Sequence, residues 1–170
     1  MLKIAVMLHN VRSAHNVGSI FRTADAAGAE RVFLSGYTPT PIDRFGRLQK
    51  DIAKTALGAE KTLVWEYAKS PAVLFRRLHK EEWSIIGVEQ DPRARDYRTF
   101  RAPRLSNISS GGEHKQAVFV FGNEVRGLSK SLRDACDQLI EIPMHGKKES
   151  LNVSVTAGIV LFSVQEARSQ

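Results

Sequence analysis

Lys3-Ile4-Ala5-Val6-Met7-Leu8 opens the chain as an unbroken apolar run after one lysine, and Arg31-Val32-Phe33-Leu34-Ser35 repeats that character further on. Between them Val17, Ile20, Phe21, Ala24 and Gly28 recur at spacings of three and four, which predicts a helix with one apolar face. Asn16 is placed to cap its start, and Gly28 to end it in a left-handed turn. Strand, helix and strand within 35 residues is the spacing of a parallel-sheet unit.

The same pattern continues outward. Thr62–Tyr67 is β-prone, and Trp83–Val88, Ala117–Phe121 and Gln138–Ile142 read as further strands. Pro71–Lys80, Leu128–Ala135 and Asn152–Arg168 read as helices, with a short one around Leu48–Thr55. Four or five strands alternating with helices predict an α/β sandwich built on a mostly parallel sheet. At 170 residues, 42% hydrophobic and 25% charged, the chain reads as a single domain, 1–170, able to bury a substantial core.

The charge is unevenly placed. Of the net +7, residues 1–35 hold +2, residues 36–104 hold +5, and residues 105–170 are neutral. A basic middle beside a neutral C-terminal third suits a polyanionic partner, nucleic acid first among them. Cys136 is the one cysteine, so neither an intrachain disulfide nor a sulfur-rich zinc framework is available. Leu2–Leu8 lacks a basic leader, and no apolar run approaches membrane-spanning length, so a cytoplasmic location with no membrane partner is expected. His9, His15 and His145 form no metal-binding spacing, and no metal is expected. A phosphate-binding GxxxxGK[ST] loop, a GxGxxG turn and a GxSxG elbow are all absent, which removes several common α/β enzymes.

Ligands of parallel sheets sit beyond the C-terminal ends of the strands. Three segments leave strands with polar or glycine-rich residues. These are His9–Asn16, leading into the helix that carries Arg22; Gly122–Ser129; and Pro143–Asn152. Glu124 in the second calls for a partner, with Arg22 or Arg126 the candidates. Ser150 or Asn152 is placed to cap the final helix. That helix is apolar almost all round, which suits either burial within the chain or a shared subunit interface.

Together three motifs resemble the SPOUT superfamily, specifically the SpoU/TrmH-type tRNA and rRNA 2′-O-methyltransferases. The first is Asn16-Val-Gly-Ser-Ile-Phe-Arg22-Thr-Ala-Asp-Ala-Ala-Gly28, and the second Phe121-Gly-Asn-Glu124-Val-Arg-Gly-Leu-Ser129. The third is Ile142-Pro-Met144, a short loop, then Ser150-Leu-Asn152-Val-Ser-Val-Thr-Ala-Gly158. The resemblance implies a Rossmann-like, mostly parallel sheet sandwiched by helices, with a C-terminal deep trefoil knot over roughly 117–170, a topology that general rules of chain connection exclude. It implies a homodimer, S-adenosylmethionine as cofactor, and transfer of a methyl group to a ribose 2′-hydroxyl of tRNA or rRNA.

Residue by residue, the resemblance assigns catalysis to Asn16, Arg22, Glu124, Ser150 and Asn152. It assigns cofactor contacts to Phe121, Gly122, Asn123, Gly127, Ile142, Met144 and Leu151. A guanidinium is a standing cation, so Arg22 is expected to orient phosphate and hydroxyl and to stabilise the developing alkoxide. Some relatives carry an additional N-terminal RNA-binding domain, and none is expected here. RNA recognition then falls to the catalytic surface, the dimer or an accessory RNA-recognition protein. Arg12, Arg44, Arg47, Lys50, Lys54 and Arg126 are candidate RNA contacts, as is the stripe Arg93, Arg95, Arg98, Arg101 and Arg104. Two other readings stand beside this one: base methylation by the same superfamily, and a non-catalytic RNA-binding dimer in ribosome assembly.

Overall fold

A computed structural model describes residues 2–101 and 116–166. Arg104, counted above in the arginine stripe, lies outside the described residues, as does the polar stretch 106–112. The described strands number seven rather than four or five. They are β1 (Lys3–His9), β2 (Arg31–Ser35), β3 (Val64–Ala68), β4 (Ser84–Val88), β5 (Arg95–Asp96), β6 (Gln116–Phe121) and β7 (Gln138–Glu141). They form one sheet in the order β3-β2-β1-β6-β4-β7-β5, with every pair parallel. β5 pairs through only two residues at the edge, too short for any periodicity to announce it.

The apolar runs are explained by what covers them. β1, β4 and β6 are buried on both faces, so a continuous apolar run replaces the alternation of a half-exposed strand. Helices α1 (Ala14–Ala26), α2 (Lys50–Ala56), α3 (Ala59–Thr62) and α6 (Val153–Glu166) lie on one face, where Val6, Leu34, Phe119 and Ile140 meet Phe21, Ile52 and Val160. Helices α4 (Pro71–Lys80) and α5 (Lys130–Ala135) cover the other face, packing Leu74, Leu78 and Leu132 on Met7, Phe33 and Val120. Among the described residues no helix is long and apolar enough to cross a membrane.

Local signals set the helix ends. Ser13, not Asn16, caps α1: its hydroxyl accepts from the Asn16 amide. Gly28 ends α1 as expected, at φ 69°, where its amide bonds to Asp25 and that of Ala29 to Ala24. α5 begins at Lys130 behind a Ser129 cap, two residues later than the sequence suggests. On α6 the apolar face is indeed wide: Val153, Ala157, Val160, Leu161 and Val164 are buried, while Val155 and Phe162 face outward.

The register fixes where ligands can meet. Leu34, Leu8, Phe121, Val88 and Ile140 form a row across five paired strands, and the chain leaves the sheet just beyond it. From this row α1 leaves β1 on one face while α5 leaves β6 on the other, so the loops of these adjacent strands part and open a crevice.

α1 reaches this crevice only because it lies close on α2. A Cβ on Gly18 would overlap the Thr55 hydroxyl and the Ile52 carbonyl oxygen, and would stand 3.1 Å from the Ala56 nitrogen. Gly18→Ala therefore lowers stability by about 1–3 kcal/mol in denaturant unfolding, although alanine favours a helix over glycine. An unchanged or raised midpoint contradicts this packing.

Candidate active site

Glu124 lies in the β6–α5 loop and reaches across the crevice to the start of α1. Its Oε2 accepts from the Arg12 amide at 3.0 Å, and its Oε1 from the Ser13 amide at 3.0 Å and Asn16 Nδ2 at 3.2 Å. Neither Arg22 nor Arg126 meets it. The donors are instead backbone amides entering a helix N-terminus, where a negative charge is favoured. Burial raises the Glu124 pKa, but these hydrogen bonds together with its own amide outweigh it and hold the carboxyl below the ordinary value of 4.5.

Asn16 carries the connection onward. Its Oδ1 accepts from Asn152 Nδ2 at 3.2 Å, and Asn152 Oδ1 accepts from the Ser154 amide at 2.8 Å, capping α6. Asn152 thus caps α6 and bonds to α1 at once. Three segments distant in sequence are joined through Glu124, Asn16 and Asn152. Ser150 is exposed near this junction, and Arg22 projects from α1 with no hydrogen-bond or ion-pair partner among the described residues.

Beside the junction runs a cleft between the β4, β6 and β7 loops. Phe121, Gly122, Asn123, Gly127, Ile142, Met144 and Leu151, the seven residues singled out for a cofactor, all line it, as do Glu124 and Ser150. The β6 loop is closed on itself. The Gly127 amide donates to the Asn123 carbonyl, and Asn123 Oδ1 accepts from the Val125 and Arg126 amides. Gly127 has φ 62°, and a Cβ on Gly122 would lie 2.6 Å from the Leu128 nitrogen, so both glycines are required by the turn itself.

Glu89, Gln90, Glu141 and Thr156 also line the cleft, and sequence reasoning missed them. Glu89 is the first residue past β4, so the strand-end rule could have found it. Its Oε2 accepts from the Leu128 amide at 2.6 Å, which braces the glycine turn from the neighbouring strand. Cys136 offers no nucleophile: burial, with Asp137 nearby, pushes its thiol up to about 12. Among the described residues no group of three or more His, Cys, Asp or Glu could hold a metal ion.

The basic candidates divide into two kinds. Arg12 and Arg126 flank an open cavity that abuts the cleft. Lys50 and Lys54 are exposed on α2, and Arg44 and Arg47 lie over the Phe45 ring at 4.7 and 5.0 Å from its centre. Arg47 is also ion-paired with Asp43. In the stripe, Arg93 pairs with Asp91 and Asp134, and Arg98 pairs with Asp96. Arg95 and Arg101 are exposed and have no acidic partner among the described residues. Side-chain hydrogen bonds from Arg93 lower the Asp91 pKa to about 2. Two of the four described arginines of the stripe are thus committed to acids of their own, which charge counting along the sequence does not reveal.

Glu124 ties acid sensitivity to the site. Its folded pKa is depressed, so the ionised carboxylate contributes stability above 4.5, and that contribution is lost as pH falls through the lowered value. Glutamine cannot accept all three bonds without turning its own amide toward a donor. Glu124→Gln is expected to melt below the parent chain at neutral pH, with the gap narrowing as pH is taken below 4.5. A gap independent of pH contradicts the assignment.

Residues 3–162 match the SpoU rRNA Methylase family. The 23S rRNA (guanosine-2'-O-)-methyltransferase RlmB of Ralstonia nicotianae is 33% identical over 167 residues, covering 98% of this chain and 59% of the relative. The chain thus spans less than two thirds of that relative's length. The AdoMet-bound rRNA methyltransferase from Sinorhizobium meliloti superposes with a TM-score of 0.80 at 28% identity, over 97% of this chain and 56% of the other. The A. aeolicus TrmH/SpoU tRNA modifying enzyme superposes with a TM-score of 0.79 at 25% identity, over 98% and 76%. The parallel sheet with flanking helices is consistent with the knotted fold that the motifs imply. With the family match running along nearly the whole chain, and a third of the residues shared with a relative across it, this chain belongs to the SpoU rRNA Methylase family.

Proposed function

We propose that the protein is an S-adenosylmethionine-dependent RNA methyltransferase that methylates a ribose 2′-hydroxyl of tRNA or rRNA. The observation that carries this reading is the hydrogen-bonded junction of Glu124, Asn16 and Asn152 on the rim of the cleft, with Arg22 unpartnered on the same helix as Asn16.

The residues present fit the cofactor. Phe121, Ile142 and Leu151 offer apolar walls for an adenine ring and the methylene chain of the methionine part, while Glu89 and Glu141 offer acceptors for hydroxyl and ammonium donors. When bound, S-adenosylmethionine supplies a methyl group on a sulfonium leaving centre. The chain supplies orientation and charge. Asn16, Ser150 and Asn152 hold the acceptor ribose and the loops, Glu124 keeps Asn16 and the α1 entry in place, and Arg22 stabilises the hydroxyl oxygen as its proton departs.

The outward stripe of Val155 and Phe162 on α6 is the surface through which a second copy packs, and the knot is formed by the segment from β6 to α6. RNA backbone contacts come chiefly from Arg12, Arg126, Lys50 and Lys54, whose charges no acid neutralises among the described residues. Such contacts position an RNA without reading its sequence.

The test is transfer of labelled methyl from S-adenosylmethionine to undermodified tRNA and rRNA, followed by digestion to nucleosides. Label is expected in a 2′-O-methylnucleoside, with Arg22→Ala lowering the rate by at least about 100-fold, the scale of losing one transition-state contact. Label on a base gives the base-methylation reading instead. Salt-sensitive RNA binding with neither cofactor binding nor transfer gives the non-catalytic dimer.

A further inference from the structure

The open cavity between Arg12 and Arg126 has a composition that phosphate contacts leave unexplained. It measures about 640 Å³ and is lined by Arg12, Tyr37, Asn123, Val125 and Arg126. Asn123 and Val125 also line the cofactor cleft, so one loop forms the common wall of both spaces. Tyr37 is 56% exposed and Val125 90% exposed. An open tyrosine ring beside two guanidinium groups without acidic partners among the described residues is the combination on which an unstacked base is held, and Val125 adds an apolar wall.

The ring is held in place before any ligand arrives. The Tyr37 amide donates to Asn10 Oδ1 at 3.1 Å, and its hydroxyl accepts from Asn123 Nδ2 at 3.0 Å. The preceding Gly36 has φ 64°, and its carbonyl accepts from the Tyr67 hydroxyl at 2.6 Å. Asn10 is itself left-handed at φ 59°, a conformation asparagine tolerates better than most residues, and Asn123 Nδ2 also donates to its carbonyl at 3.1 Å. A tyrosine on the β2 exit is thereby fastened to the residue that precedes Glu124.

The geometry points to this cavity as a nucleobase-binding pocket, in which Tyr37 and Val125 hold the extruded base of the nucleotide to be methylated while Arg12 and Arg126 hold its flanking phosphates. The proposal rests on RNA being the substrate. A ribose presented at the junction carries its base one glycosidic bond away, and the space across the shared wall is this cavity. Arg12 serves both sides, since its amide holds Glu124 while its side chain lines the pocket.

The test uses the full chain and a short single-stranded RNA of mixed sequence carrying 5-iodouridine, which crosslinks to stacked aromatic rings. Irradiation is expected to yield a crosslinked peptide containing Tyr37. Tyr37→Phe, which keeps the ring, retains RNA affinity within about twofold, while Tyr37→Leu weakens it at least about fivefold, the scale of one lost base–aromatic stack. Both variants keep the parent chain's affinity for S-adenosylmethionine by calorimetry. RNA binding by the parent chain with crosslinks only outside the cavity, or with an unweakened Tyr37→Leu, overturns the pocket and leaves RNA as the substrate. A loss of S-adenosylmethionine binding in Tyr37→Leu overturns it too, because Tyr37 then serves only to support Asn123. If the parent chain binds no RNA, the pocket and the substrate reading fall together.

Discussion

A carboxylate drawn partly out of water must be met by donors, and Glu124 is met by two backbone amides and a side-chain amide from a segment more than a hundred residues earlier. The donors belong to the first turn of α1 and the residues leading into it, where unpaired amides would otherwise face the crevice. Each side answers a need of the other. The helix start acquires its acceptor and the β6 loop acquires its anchor. Asn16 then passes the connection to Asn152 and so to the start of α6. The openings of two helices and one strand exit are held in register by three polar side chains, and the shape of the cleft follows from that register.

Electrostatics sort the surface around this junction. Acids two or four residues away in sequence, or on a neighbouring helix, pair with Arg47, Arg93, Arg98 and Lys130. Around the crevice that pairing is missing. Arg12 and Arg126, which line the cavity beside it, stand without acidic partners among the described residues, and Glu124 is spent on amides. Beside the cleft two guanidinium groups thus keep their charge uncompensated, whereas Arg93 and Arg98 in the stripe do not.

Much of the architecture was legible because it depends on local chemistry. Buried parallel strands read as unbroken apolar runs, Gly28 marked a helix end, and Pro71 marked the start of α4, which the structure shows to be capped by Ser70. The three loop segments were legible because they begin where strands stop, and the sheet register carries those stops to one row, while the individual cleft residues came from the family resemblance. What escaped is set by pairing across the fold. The strand order, the two-residue β5, the acids that occupy Arg93 and Arg98, and the brace from Glu89 all depend on which segments become neighbours. Glu124 shows the difference most clearly. Its need for a partner was readable from its chemistry, but beside the Asn16 side chain it is met by two main-chain amides, which carry no mark in a sequence.

The β6 loop explains why so small a segment can face two spaces. Asn123 closes it from within, using Oδ1 on two amides and its carbonyl on a third, while its Nδ2 reaches outward to Asn10 and Tyr37. Gly122 and Gly127 leave no side chain to hold the turn open, and Glu89 buttresses it from β4. A loop so fully satisfied loses little conformational entropy when ligands approach, because its shape is already decided. Val125 takes part in that closure only through its amide, so its side chain is left free to face outward between the cleft and the cavity. Rigidity in the backbone of this turn is thus what allows its side chains to act as a wall common to both.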